Sequence, residues 1–396
     1  MNRETNNGSG TASRLATTTV ACALIVLAQL GAAAYAGPRE QARRIHDRIA
    51  GVPPSDSVLA QMEADIIAGR PLDAASRALE HPSFYNVTLK NFVTPWTNRD
   101  QSVFAPLNDY TATVIGMVRD NVPFNTVLSA DILYVSNASG LPPYSPTNND
   151  HYEQAELRGV DLKATLVRTT QSSLLGIPPE ATAGVMTTRA ASEAFFIDGT
   201  NRAMFRFTLM NHLCRDLEQV MDTSRPTDRI RQDVSRSPGG DSRVFLNNCV
   251  GCHSGMDPMA QAFAYYDFDE TQQRLVYTPG QPNAKYFINA DNFKPGFITP
   301  DDRWYNYWRK GPNQHLGWDP ALPGSGYGAK SLGEELAASE AFASCQVEKV
   351  FKAVCFRSPI NQADRNEIAR ITNLFRNGGY QLKQVFAETA VYCMGE

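Results

Sequence analysis

The chain has 396 residues, 42% of them hydrophobic and 20% charged, the balance of a globular protein and not of a disordered or membrane-embedded one. A net charge of −4, with no stripe of Lys and Arg, argues against a nucleic-acid partner. The length suits one large core or two to three smaller ones.

A polar stretch containing Arg3 and Arg14 precedes an apolar run from Leu15 to Ala34, which ends in Ala34-Tyr35-Ala36 before Gly37. Small residues flanking such a site after an apolar segment are the pattern of a secretory signal peptide, here residues 1–36. Left uncleaved, the run is nearly long enough to span a bilayer, so membrane association is expected only in that form. Export implies a periplasmic or secreted chain with Cys214, Cys249, Cys252, Cys345, Cys355 and Cys393 in an oxidising compartment.

Helical periodicity dominates the rest, and the predicted class is mostly α: several compact helical modules joined by long irregular connections. Ala42, Ile45 and Ile49 form one apolar face between Pro38 and Gly51. Ser55 caps a second helix carrying Leu59, Met62 and Ile66. Phe84, Val87 and Phe92 predict a third, ending before Pro95. Tyr110–Arg119 and Asn125–Ala130 predict short helices, and Asn137–Pro179 reads as an irregular excursion or a weak two-stranded piece. A strong helix is predicted from Thr200 through Met204, Phe205, Leu209 and Leu213 to Glu218, followed by a loop to Gly240. Ser242–Val250 predicts a short helix, with Asp257-Pro258 shaping a turn soon after it. Thr299-Pro300-Asp301-Asp302 predicts the start of a helix through Trp304, Tyr307 and Trp308 to Gly311. Ser331 and Glu334 predict a capping box, and helices around Val347–Phe351, Ile368–Phe375 and Leu382–Phe386 close the chain. Three modules follow: 37–180, 181–295 and 296–396.

Between the second module's helices lies Cys249-Val250-Gly251-Cys252-His253. Covalent haem c requires two thiols spaced to meet two vinyl groups and an adjacent imidazole for the iron, and Cys-x-x-Cys-His in an exported chain meets that requirement. A thioredoxin-like pair would sit in a βαβ unit, which is missing here. A structural zinc site would need a matching second pair, and Cys345 and Cys355 are too far apart. His253 is the proximal ligand on this reading, and the distal candidates are His212, Met259 and His315. The four remaining cysteines suggest two disulfides, and Cys345 with Cys355 is the pairing excluded if both lie on one helix, where ten residues span about 15 Å.

The segment Cys249–Asp267, C-V-G-C-H-S-G-M-D-P-M-A-Q-A-F-A-Y-Y-D, resembles the haem segment of planctomycete-type cytochromes. Gly184-Val185-Met186-Thr187, the helix ending Leu213-Cys214, the C-terminal stretch Phe342–Tyr392 and Gly51-Val52-Pro53-Pro54 are similar to other parts of that family. Ala260 and Ala264 depart from it where glycine and glutamate are usual. The resemblance implies an exported protein with one covalent haem and leaves the substrate open.

The expected function is one-electron transfer to or from a redox partner protein. The alternatives are a haem peroxidase or oxidase with an open distal site, and a scaffold stabilised by its haem. No acid–base pair or nucleophile constellation stands out elsewhere in the sequence.

Overall fold

The computed structural model describes residues 36–197 and 199–395; the signal-peptide expectation lies outside them, apart from Ala36. The fold is mostly α, with three two-stranded antiparallel ribbons. The α-helices of seven or more residues are labelled in chain order.

Helix α1 (Pro38–Ala50) starts on proline and ends where Gly51 takes φ +71°, a left-handed turn that glycine adopts without a Cβ penalty. In α2 (Asp56–Ile67) the Ser55 hydroxyl accepts the Val58 N–H. Helix α3 (Pro71–Leu79) buries Ala74, Ala75 and Ala78; its face is built of alanine, too weakly apolar to stand out in the sequence. The predicted third helix begins as a π-type turn (Phe84–Leu89) and passes through Pro95 as a tight 3-10 turn, Thr94–Thr97. Helix α4 (Asp109–Arg119) is buried from Asp109 to Val118, so it has no solvent face.

Asn125–Ala130 holds only a 3-10 turn, Phe124–Thr126. The excursion Asn137–Pro179 supplies only one strand of the pair, β2 (Leu166–Thr169), which pairs with β1 (Leu133–Ser136) just before it, and it also contains helix α5 (Asp150–Leu157). Helix α6 (Arg189–Phe195) follows, capped by the Thr188 hydroxyl. The strong helix is α7 (Arg202–Thr208), extended by a π-type turn over Leu209–Leu213. It stops short of Glu218 because Cys214 turns left-handed (φ +53°) and is tied to Cys345.

Helix α8 (Val250–Ala260) runs straight on from a π-type turn, Phe245–Cys249. The Cys-x-x-Cys-His motif is therefore inside helix, and Pro258 lies in the last turn of α8 instead of shaping a separate turn. Strands β3 (Tyr266–Asp269) and β4 (Arg274–Tyr277) form the second ribbon.

The predicted helix Thr299–Gly311 does not form. Strand β5 (Arg303–Tyr305) pairs there with β6 (Ser325–Tyr327). From Asp302 to Trp308 buried and less buried residues alternate strictly, so Trp304 and Trp308 share the inner side through a period of two and not through a helical turn. The Ser331–Glu334 capping box is absent as well, because α9 (Gly328–Ala337) starts three residues earlier. The Ser331 hydroxyl instead accepts the Trp304 Nε1–H at 2.8 Å. Helices α10 (Glu340–Cys355), α11 (Gln362–Asn377) and α12 (Leu382–Tyr392) outgrow their predicted lengths, helped by caps at Ser339 and Asn361.

One hydrophobic cluster takes in Ala42, Phe84, Val114, Phe205, Met259, Phe342 and Phe386, so the three expected modules meet in a shared core. The Phe84 and Phe386 rings meet edge to face at 5.1 Å, and Gln41 Nε2 donates to the Gly395 carbonyl at 2.8 Å. The four cysteines outside the motif pair as Cys214–Cys345 and Cys355–Cys393, closing separations of 131 and 38 residues. Each bridge is expected to contribute about 2–4 kcal/mol by constraining the unfolded chain. Urea titration of a Cys355→Ala/Cys393→Ala variant should show a loss of that size; an unchanged midpoint would mean the bridge does not form in the protein.

Candidate haem site

Helix α8 has two chemically different faces. Residues three and four apart share a helix face, so Cys249, at the end of the preceding turn, lines up with Cys252, His253 and Met256. About 200° round the axis from His253 lie Gly251 and Gly255. A Cβ on Gly251 would stand 3.1 Å from the Met221 Cβ, and one on Gly255 would stand 2.0 Å from Trp308 Nε1. The glycines let the Val220–Thr223 strand of chain and the fully buried Trp308 indole press directly on the helix. The Asp222 N–H donates to the Gly251 carbonyl at 2.9 Å, and the Ser254 hydroxyl donates to the Asp222 carbonyl at 2.8 Å. Clamped on that side, α8 presents its other face to a cleft.

The cleft has a volume of about 640 Å³ and is lined by His253 and Met256 of α8, by Ala203, Arg206 and Phe207 of α7, and by Leu217. Arg99 and Arg202 complete the wall. The volume falls in the range of small-molecule and cofactor sites. Neither cysteine lines the cleft: the Cys252 thiol lies 3.6 Å from the Leu217 carbonyl, and Cys249 packs at the edge of a small cluster of Ile230, Val234, Phe245 and Val250.

The two thiols are free and half-buried. Burial, and after it the Glu218 and Asp216 carboxylates, raises the Cys252 thiol above its ordinary range. A dithiol redox centre needs the opposite, a stabilised thiolate. Among the described residues no group of three or more His, Cys, Asp and Glu converges to hold a metal ion, so the four-ligand shell of structural zinc is not assembled.

His253 is held from behind. Its Nδ1 lies 3.0 Å from Asp257 Oδ1, one helical turn on. Asp257 has no exposed side-chain surface, and Arg202 grips it with two bonds, Nε to Oδ1 at 2.8 Å and Nη2 to Oδ2 at 3.0 Å. Burial pushes the Asp257 carboxyl upward, but Arg202, His253 and Arg231 together hold it well below the usual carboxylate range. Arg202 also bonds Asp233 through both terminal nitrogens. His253 Nε2 takes no bond from any described residue.

None of the three distal candidates lines the cleft. His212 is buried beyond Phe207, with Nε2 bonded to the Tyr110 hydroxyl at 2.9 Å and its ring set edge-on to Trp96. Met259 is fully buried on α8 itself, about two-thirds of a turn round from His253. His315 is exposed, and its Nδ1 bonds the Pro312 carbonyl at 2.7 Å. The cleft-lining Met256 and the Asp257–Arg202–Asp233 chain were not singled out from the sequence. A His-x-x-x-Asp spacing on a helix was the available signal, masked by reading Asp257-Pro258 as a turn.

No protein family, no curated protein and no solved structure matches the chain, so function has to be read from the residues themselves.

Substituting Gly255 tests the clamp. In an exposed helix Gly→Ala stabilises by about 1 kcal/mol, whereas forcing a methyl into a packed ring costs about 1–3 kcal/mol. At 2.0 Å from a rigid indole the clash should win, so Gly255→Ala is expected to lower stability by about 1–2 kcal/mol in urea titration. A neutral or stabilising result would show that α8 and Trp308 are not in this contact.

Proposed function

We propose that this chain is an exported c-type cytochrome carrying one haem. In this reading Cys249 and Cys252 form the two thioethers, and His253 offers Nε2 to the iron from the cleft side of α8. The bound haem would supply a one-electron couple. The chain's own residues would attach it and orient the imidazole. The observation that carries the reading is the donor set: two free thiols and an imidazole on one helix face, with Nδ1 anchored to Asp257 and Nε2 without a partner among the described residues, beside a cofactor-sized cleft.

One further feature supports it. The two disulfides fit the oxidising compartment that a cleaved leader would imply, which supports a periplasmic or secreted location. No described helix is long and apolar enough to cross a membrane. A redox partner protein is the proposed source or acceptor of the electron, in line with the resemblance to planctomycete-type cytochromes.

Protein produced with a haem-maturation system should retain its haem through acid–acetone extraction, and Cys249→Ala with Cys252→Ala should abolish retention. Haem lost from the unmutated chain under those conditions would refute covalent attachment. A carrier should also turn over hydrogen peroxide poorly; rapid ferryl formation on stopped-flow mixing, with turnover of an electron donor, would make the protein an enzyme.

A further inference from the structure

We propose that Asp257 is the positioning residue of the His253 imidazole: it fixes the Nδ1–H tautomer, keeps the Nε2 lone pair facing the cleft, and lowers the reduction potential of the haem bound there. The proposal rests on the haem reading for its last clause only.

The geometry that carries it is a hydrogen-bonded chain from the cleft to the far side of the site. Asp257 Oδ1 lies 3.0 Å from His253 Nδ1 and 2.8 Å from Arg202 Nε. Asp257 Oδ2 accepts from Arg202 Nη2 at 3.0 Å and from the Arg231 backbone N–H at 3.4 Å. Arg202 is held on its other side by Asp233. The carboxylate cannot swing away from the ring without breaking bonds to two other segments. His253 and Asp257 also sit one turn apart on the same helix, so α8 itself sets their separation.

Arg202 and Arg231, with Arg236 nearby, face Asp257 and Asp233. A carboxylate oxygen accepts, so the bond to Asp257 takes its proton from His253 Nδ1 and leaves Nε2 as the acceptor nitrogen on the cleft side. A carboxylate on the far nitrogen of a ligating imidazole raises its basicity, and stronger donation favours the oxidised iron. A purely structural reading, in which Asp257 serves only to bind Arg202, would leave the ring's tautomer free.

The test has two readouts. In the full chain produced without haem maturation, ¹⁵N–¹H correlation spectra of the imidazole should show His253 protonated at Nδ1, and Asp257→Asn should move it toward a mixture of tautomers. Finding the Nε2–H form in the unmutated chain would overturn the proposal whatever the haem does, even if the variant failed to fold. In the haem-loaded protein Asp257→Asn, which keeps the shape and an acceptor but removes the charge, should raise the midpoint potential at unchanged haem content. A variant with full haem and an unshifted potential would overturn the tuning role. Failure of the unmutated chain to hold haem would sink the cytochrome reading and leave the tautomer result standing, so the two failures can be told apart.

Discussion

Helix α8 has to satisfy two demands at once, and the arrangement around it follows from meeting both. Its cleft face must hold two sulfurs and an imidazole within a narrow arc, which requires spacings of three and four residues. Its back must be gripped tightly enough that this arc does not rotate. Gly255 meets the second demand because nothing larger than hydrogen lets the Trp308 indole come so close, and Gly251 keeps the Met221–Asp222 segment in tight contact on the same side. Trp308 is placed by a ribbon, since β5 and the 3-10 turn after it alternate buried and less buried residues. Trp308 also packs on Phe205 of α7, with ring centroids 5.9 Å apart. The same α7 supplies Arg202, Arg206 and Phe207 to the site, so one contact ties the back of α8 to the wall of its cleft.

The rest of the molecule braces that pair. The Cys214–Cys345 bridge joins the end of the α7 run to α10, and Gln346 Nε2 donates to the His212 carbonyl one residue further along α10. Helices α10 and α12 pack in turn against the N-terminal helices, with Phe386 against Phe84 and Phe92. Residues far from the motif thereby limit how α7 can move relative to α8. This gives a physical reason for a large chain around a small site: the cleft lies between two helices, and its width depends on their common scaffold.

Helix-forming signals that act locally were legible in the sequence. Pro38 with Gly51, the Ser55 cap and the apolar face of α7 all read correctly because propensity, capping and periodicity act within one or two turns. The failures share a cause, which is competition from distant partners. Trp304 and Trp308 have helical spacing, but β6 offers a strand partner and the buried-side alternation prevails. Ser331 has the pattern of a cap, but Trp304 claims its hydroxyl. Glu218 lies beyond the true helix end because a bridge to a residue 131 positions away turns the chain at Cys214. At the site, the thiols and His253 were recognisable from spacing alone. Asp257 was visible only as a helix-turn neighbour, and Arg202 and Asp233 were invisible, since 55 and 31 residues separate Arg202 from its two carboxylate partners.

The ionic cluster behind His253 is costly to assemble. Burying charge forfeits hydration, and well-packed apolar residues of similar volume are often as stable as a buried ion pair. Arg231 makes the cost visible: it is almost fully buried, burial pulls its guanidinium downward, and two of its nitrogens lack hydrogen-bond partners. Its compensation is partial, from the Thr200 hydroxyl and the Tyr286 ring 4.8 Å away. An apolar core here would hold α7 against α8 equally well but could not accept a proton bond from Nδ1. Once the cluster is in place, removing a single member leaves an uncompensated buried charge, at a cost of about 3–5 kcal/mol. The charges are thus locked to one another, and the imidazole inherits that rigidity. On the proposed reading, a side chain that could otherwise rotate and exchange tautomers is left with one orientation and one nitrogen unpartnered among the described residues, which is what a group offered to an iron centre would require.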